Sequence, residues 1–307
     1  MAVVNIEDVY DEFGFGYRSP AAVRAFIARA STVWAPALRY VVIAGDGSFD
    51  PRDYFGLGGN LVPTKSIETF SMETFSDDWM ADANGDDVPD VSIGRLPVTT
   101  VAELQSVVSK ILAYEAQPAA PRTVVSVADT NDTYDFGGAT DRMSGLLPTP
   151  TAVTSIHRSE IGDVAARAAV LESFATGSDL VVFAGHGSVT VWRGELLTSD
   201  DAIGIESNGR LSVSVLANCL NGYFVTPGLN SVGEALVLAP GGGSVVSWAS
   251  SGTSDSGWQE LLISEFLRRA YAPGITTGDA ARAAKASVVG DVRKTWVLLG
   301  DPMVKMK

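Results

Sequence analysis

A thiol and an imidazole are the two side chains in this sequence best equipped to break a covalent bond. Cys219, the single cysteine, closes the apolar run Leu211-Ser-Val-Ser-Val-Leu-Ala-Asn-Cys219. His186 closes an earlier one, Asp179-Leu-Val-Val-Phe-Ala-Gly-His-Gly-Ser188. A thiol attacks a carbonyl as its thiolate; a neighbouring imidazole favours that form and later returns the proton to the leaving group. Two parallel strands ending in these residues would deliver both side chains at the carboxyl edge of a sheet, where open α/β folds bind ligands. The chemistry implied is cleavage of a peptide bond in a polypeptide substrate.

Each residue also has a plainer explanation. A lone cysteine is more often a buried core thiol, and a lone histidine more often a hydrogen-bonded loop residue. Position argues for the reactive alternative. Asn218 before Cys219 and Asn221-Gly222 after it are turn formers, so the thiol falls where a strand stops. Gly185 and Gly187 flank His186, which leaves the ring unshielded and lets substrate backbone come close. The amide of Gly187 is then a candidate oxyanion donor.

The elements that must position these groups alternate regularly. Ser19-Pro20 opens a helix over residues 20 to 34, and Tyr40-Val-Val-Ile-Ala-Gly45 reads as a strand buried on both faces. Val91–Leu96 is a second strand, and a helix carrying Leu104, Val107, Val108, Ile111 and Leu112 follows. Gln117-Pro-Ala-Ala-Pro121 is the best linker. Beyond it strands are expected at Thr123–Ala128, Ala152–Ile156, before His186 and Cys219, at Ser244–Ala249 and at Thr295–Leu299. Helices are expected at Arg142–Leu147, Asp163–Thr176, Ser231–Leu238, Asp255–Tyr271 and Gly278–Val289. Such alternation predicts an α/β fold with a doubly wound, mostly parallel sheet and helices on both faces in residues 120–307. A smaller α/β subdomain precedes it in residues 1–119.

The 307 residues can bury a sizeable core, and 46 % hydrophobic against 19 % charged residues is a globular balance. A net charge of −14 opposes binding to nucleic acid or anionic membrane surfaces. No apolar stretch is long enough for membrane insertion, and the amino terminus has no basic-then-apolar signal pattern. The chain therefore reads as intracellular or as a segment of a longer secreted precursor.

The strings Val182-Phe-Ala-Gly-His-Gly-Ser188, Ala217-Asn-Cys-Leu-Asn-Gly222 and Trp296-Val-Leu-Leu-Gly-Asp-Pro302 together resemble the gingipain-like cysteine peptidases of family C25. Val9-Tyr-Asp-Glu-Phe13, Ala44-Gly-Asp-Gly-Ser-Phe-Asp50 and Pro89-Asp-Val-Ser-Ile-Gly-Arg-Leu-Pro97 extend the likeness, which runs from residue 6 to residue 302. The resemblance implies a caspase-like fold and a secreted or cell-surface protein. It implies Cys219 as nucleophile, His186 as proton carrier, and the amides of Gly187 and Cys219 as oxyanion donors. Asp129 matches the acid that orients the histidine, and Trp258 a tryptophan lining the primary specificity pocket. Arg-cleaving members carry a pocket aspartate for which Asp135 and Asp141 are the candidates, neither in clean register. The first subdomain lacks the family's opening βα elements, which implies an excised piece with flanking domains.

Asp82, Asn84, Asp86 and Asp90 present oxygen donors at positions 1, 3, 5 and 9 of an acidic segment, an order that suits calcium. The glutamate at position 12 of an EF-hand is missing, and the plain alternative is a solvated acidic turn. Bound calcium in the resembling family adds weight to a structural Ca2+ site; no organic cofactor is implied. Three functions follow from these residues: hydrolysis through a Cys219–His186 dyad and a thioester, transpeptidation as in the family's secretion-system sortases, or a non-catalytic binding module. Intact histidine and cysteine disfavour the last.

Overall fold

The computed structural model describes residues 1–118 and 120–307. The subdomain boundary drawn at residue 119 lies outside the described residues. Valine- and isoleucine-rich runs become strands because branched side chains pack well on a pleated surface. In chain order these are β1 (Tyr40–Ala44), β2 (Lys65–Glu68), β3 (Glu73–Ser76), β4 (Ser92–Leu96), β5 (Thr123–Ala128) and β6 (Ala152–His157). They continue with β7 (Leu180–Ala184), β8 (Gly187–Ser188), β9 (Val191–Trp192), β10 (Ser212–Ala217), β11 (Ser244–Ser250) and β12 (Trp296–Gly300).

Eight of them form one sheet in the order β1-β4-β12-β11-β10-β7-β5-β6, while β2 and β3 form a separate hairpin and β8 and β9 a two-residue ribbon. The pairs β1–β4, β5–β6, β5–β7, β7–β10 and β10–β11 are parallel. β12 departs from the expected parallel run: it lies antiparallel to β11 and touches β4 through Leu299 and Arg95. Strands from both halves of the chain thus share one sheet.

Alternation along the central strands divides the core between two faces. Val124, Leu180, Val182, Val213 and Val215 point to one side, where Phe136, Met143, Leu262 and Phe266 cover them. Val125, Val127, Val181, Phe183 and Leu216 point to the other, under Ala166, Val170, Phe174 and Leu236. Trp248 is a core residue packed against Phe266 and Trp296. β1 is not buried on both faces. It ends the sheet, with Val42 and Ala44 exposed. The helix expected at Arg142–Leu147 runs instead over Phe136–Ser144, because the Asp135 side chain caps it at the Gly138 amide.

Candidate active site

β7 and β10 are neighbours, and Ala184 pairs with Ala217 in their last register position. His186 and Cys219 each stand two residues further on, so both side chains leave the same edge of adjacent strands. The Gly185 amide still donates to Ala217 O at 3.0 Å, which keeps the chains together past the strand ends.

The His186 ring is partly exposed. Its Nε2 lies 2.7 Å from Asp132 Oδ2, and the Phe136 ring meets it edge-on at 5.2 Å. The Tyr134 amide and then the His186 ring hold the Asp132 carboxyl below its ordinary value. Asp129 has a different task from the one expected. Its carboxylate is fully buried and accepts from the amides of Thr130 at 2.7 Å and His186 at 3.1 Å, and from Arg158 at 2.7 Å. With its oxygens spent on main chain and guanidinium, Asp129 fixes the loop, and Asp132 faces the ring. Asp129→Ala removes the acceptor of the Thr130 and His186 amides and one of the two carboxylates on Arg158, which keeps Asp163 at 2.7 Å, so we expect a loss of about 1–3 kcal/mol. Chemical denaturation checks this, and activity should fall in step with the folded fraction.

The glycines around His186 also have a tighter reason than access. A Cβ on Gly185 would lie 2.4 Å from Asp129 Cβ, and one on Gly187 would lie 2.1 Å from Asn218 Nδ2. Both glycines let a buried side chain cross beneath the histidine loop.

The turn that carries the thiol is held as closely. Asn218 donates to Asn221 Oδ1 at 2.5 Å, and Asn221 donates to Ser188 O at 2.5 Å, so two buried amides tie the cysteine turn to the histidine loop. Leu220 adopts φ 66°, a left-handed conformation costly for a side chain with a Cβ. Its amide donates to Gly252 O at 3.2 Å. The Cys219 thiol points at Ser254 O, 3.9 Å away.

Beneath Ala184 and Ala217 lies a crevice too tight for a water molecule, lined by Phe136, Ala139, Met143, Tyr134, Gln259 and Glu260. Glu260 is its charged wall. Arg142 bonds it at 2.7 and 2.9 Å, which lowers its pKa, and Tyr134 Oη also donates to it. The two pocket aspartates expected from the sequence are elsewhere. Asp135 is spent on the Gly138 amide and on Asn131 at 2.6 Å. Asp141 faces His157 at 3.6 Å. Trp258 stands in the first turn of the helix Ser256–Ala270, four residues after Ser254, and is 45 % exposed. We expect Trp258→Ala to raise KM or alter side-chain preference with little change in melting temperature; a large fall in melting temperature at unchanged preference would mark a packing role.

The family model for peptidase family C25 matches residues 1–307. The chain belongs to that family. It is thus a cysteine-type peptidase with a polypeptide substrate. The C25 fold is also seen in solved structures. The Arg-specific cysteine proteinase gingipain R (RgpB) is 18 % identical over 99 % of this chain and 75 % of that one, with a TM-score of 0.74. A complex of the RgpB pro- and mature domains from Porphyromonas gingivalis is 18 % identical over 98 % and 77 %, again with a TM-score of 0.74. A third, described as a protease, is 15 % identical over 94 % and 70 %, with a TM-score of 0.71. At these identities the likeness shows the fold. No curated protein matches the sequence.

The acidic loop of this C25 chain folds on itself. Asp82 accepts from the amides of Gly85 at 2.7 Å and Asp87 at 3.1 Å, Asn84 from that of Asp86 at 2.9 Å, and Asp90 from that of Ala83 at 2.8 Å. Arg24 and Arg293 bond the carbonyls of Asp82 and Asp86, and Lys294 pairs with Asp87. The donor order suits calcium. Among the described residues no three His, Cys, Asp or Glu side chains are grouped to hold a metal. Also among them, no helix is long and apolar enough to cross a membrane.

Proposed function

We propose that this peptidase hydrolyses peptide bonds through Cys219 and His186 by way of a thioester. The observation that carries the reading is the register of β7 and β10, with both reactive residues two positions past the Ala184–Ala217 pair. Asp132 at Nε2 leaves Nδ1 of His186 as the nitrogen for proton transfer. The thiol proton passes to the imidazole as Sγ attacks the carbonyl carbon. The oxygen charge settles on the amides of Gly187 and Cys219. The imidazolium then protonates the leaving amine, and the C–N bond breaks. Water, deprotonated by the same imidazole, cleaves the thioester and restores the thiol.

A peptide-library cleavage assay on the parent and on Cys219→Ala tests the reading. Cleavage by the parent alone supports it; equal cleavage by both overturns it. Products carrying an added amine instead of a carboxylate would make the enzyme a transpeptidase. A secreted or cell-surface setting is part of the proposal, supported by the family.

Calcium at residues 82–90 is proposed as well, on the spacing of Asp82, Asn84, Asp86 and Asp90, with Lys294 paired to the neighbouring Asp87 and Arg293 bonded to the Asp86 carbonyl. Binding to the folded state alone raises its stability. We expect calcium to raise the melting temperature, chelator to lower it, and Asp86→Ala to blunt both. A melting curve indifferent to calcium and chelator would leave a solvated acidic turn.

A further inference from the structure

The segment Ser250-Ser-Gly-Thr-Ser254 leaves β11 and runs between the cysteine turn and the β2–β3 hairpin. On its inner side it carries the nucleophile's turn. The Leu220 amide donates to Gly252 O at 3.2 Å, the Gly222 amide to Ser250 O at 2.8 Å, and the Cys219 thiol to Ser254 O at 3.9 Å. On its outer side it meets the hairpin. Thr74 Oγ1 donates to Ser251 O at 2.5 Å, Ser251 Oγ to Phe75 O at 2.7 Å, and the Ser71 and Thr253 hydroxyls bond each other.

We propose that Thr74 and Ser251 are positioning residues, through which the β2–β3 hairpin sets the geometry of Cys219. The inference rests on reading Cys219 as the nucleophile. Thr74, Ser250 and Ser251 are fully buried, so water cannot replace a hydrogen bond that one of them loses. The segment also has no slack. A Cβ on Gly252 would lie 2.9 Å from Thr295 Cγ2 and 3.3 Å from Thr74 Cγ2. Movement of Ser251 therefore shifts the Gly252 and Ser254 carbonyls that hold the cysteine turn. Displacements well below the length of a bond to substrate are enough to slow a positioned reaction.

Thr74→Val in the full chain keeps the shape and removes the hydroxyl. We expect kcat and the rate of iodoacetamide alkylation at neutral pH to fall on the order of tenfold, with KM within about twofold of the parent. Hydrogen exchange at the Leu220 amide should quicken, and Thr74→Ser should restore all three. Ser251→Ala, which adds no bulk, gives the same readouts if Thr74→Val does not fold. Parent-like exchange at Leu220 with a parent-like alkylation profile would overturn the relay. A parent protein that neither cleaves peptides nor alkylates quickly would overturn the peptidase reading instead, and exchange at Leu220 would still decide the relay.

Discussion

Cys219→Ala and His186→Ala should each reduce peptide hydrolysis by on the order of 10⁴-fold or more, and the double variant should be no worse than either single one. In the proposed mechanism the two residues share one proton and one attack, so removing either leaves nothing for the other to do. Their positions make the loss specific. Both follow the last paired residues of β7 and β10, outside the two packed faces of the sheet. Melting temperatures should therefore stay close to the parent's. Single-turnover kinetics on the three variants check this; additive losses would show the residues acting independently, and residual turnover in Cys219→Ala would require another nucleophile.

Asp132→Asn should have the next largest effect, a fall in kcat of about 10²-fold. The amide keeps the shape but cannot stabilise an imidazolium or hold its tautomer. The sign of the pH dependence follows from the depressed Asp132 pKa, caused first by the Tyr134 amide and then by the His186 ring. A carboxyl whose folded pKa lies below its unfolded one adds stability above the unfolded value, and that stability is lost as pH falls through the folded one. Parent and variant should therefore differ at neutral pH and converge in stability below about pH 4. Kinetics and melting curves between acid and neutral pH test both halves. A variant with parent kcat at every pH would remove Asp132 from the machinery.

The proposed dyad is legible in the sequence because its signals are local: two apolar runs, each halted by turn-forming residues at His186 or Cys219. Two helix starts were legible for a similar reason. Ser19 and Ser231 cap the helices they precede, through short contacts within one turn. The partners of the dyad were not legible. Asp132 sits among four other acidic or amide residues between positions 129 and 141, and only the fold of that loop selects it. Strand order is equally non-local. Tyr40–Ala44 has the composition of a central strand, yet it lies at the sheet edge because no later strand pairs outside it. The hairpin β2–β3 leaves no such trace in the sequence, because Lys65-Ser-Ile-Glu68 has too few apolar residues to show alternation. Its importance lies in the hydroxyls of residues far away in sequence.

The place of β12 has a consequence for biosynthesis. It follows every other strand of the sheet in chain order, yet it lies inside the sheet, between β4 and β11. Until it emerges from the ribosome, β4 and β11 each present an open hydrogen-bonding edge, a state prone to mispairing and slow to resolve. Thr295, just before β12, also accepts from the Ser251 amide at 2.7 Å. A nascent chain lacking this strand would have both Cys219 and His186 but not the backing of the segment behind Cys219. On the proposed mechanism, proteolytic competence is expected only once β12 has closed the sheet.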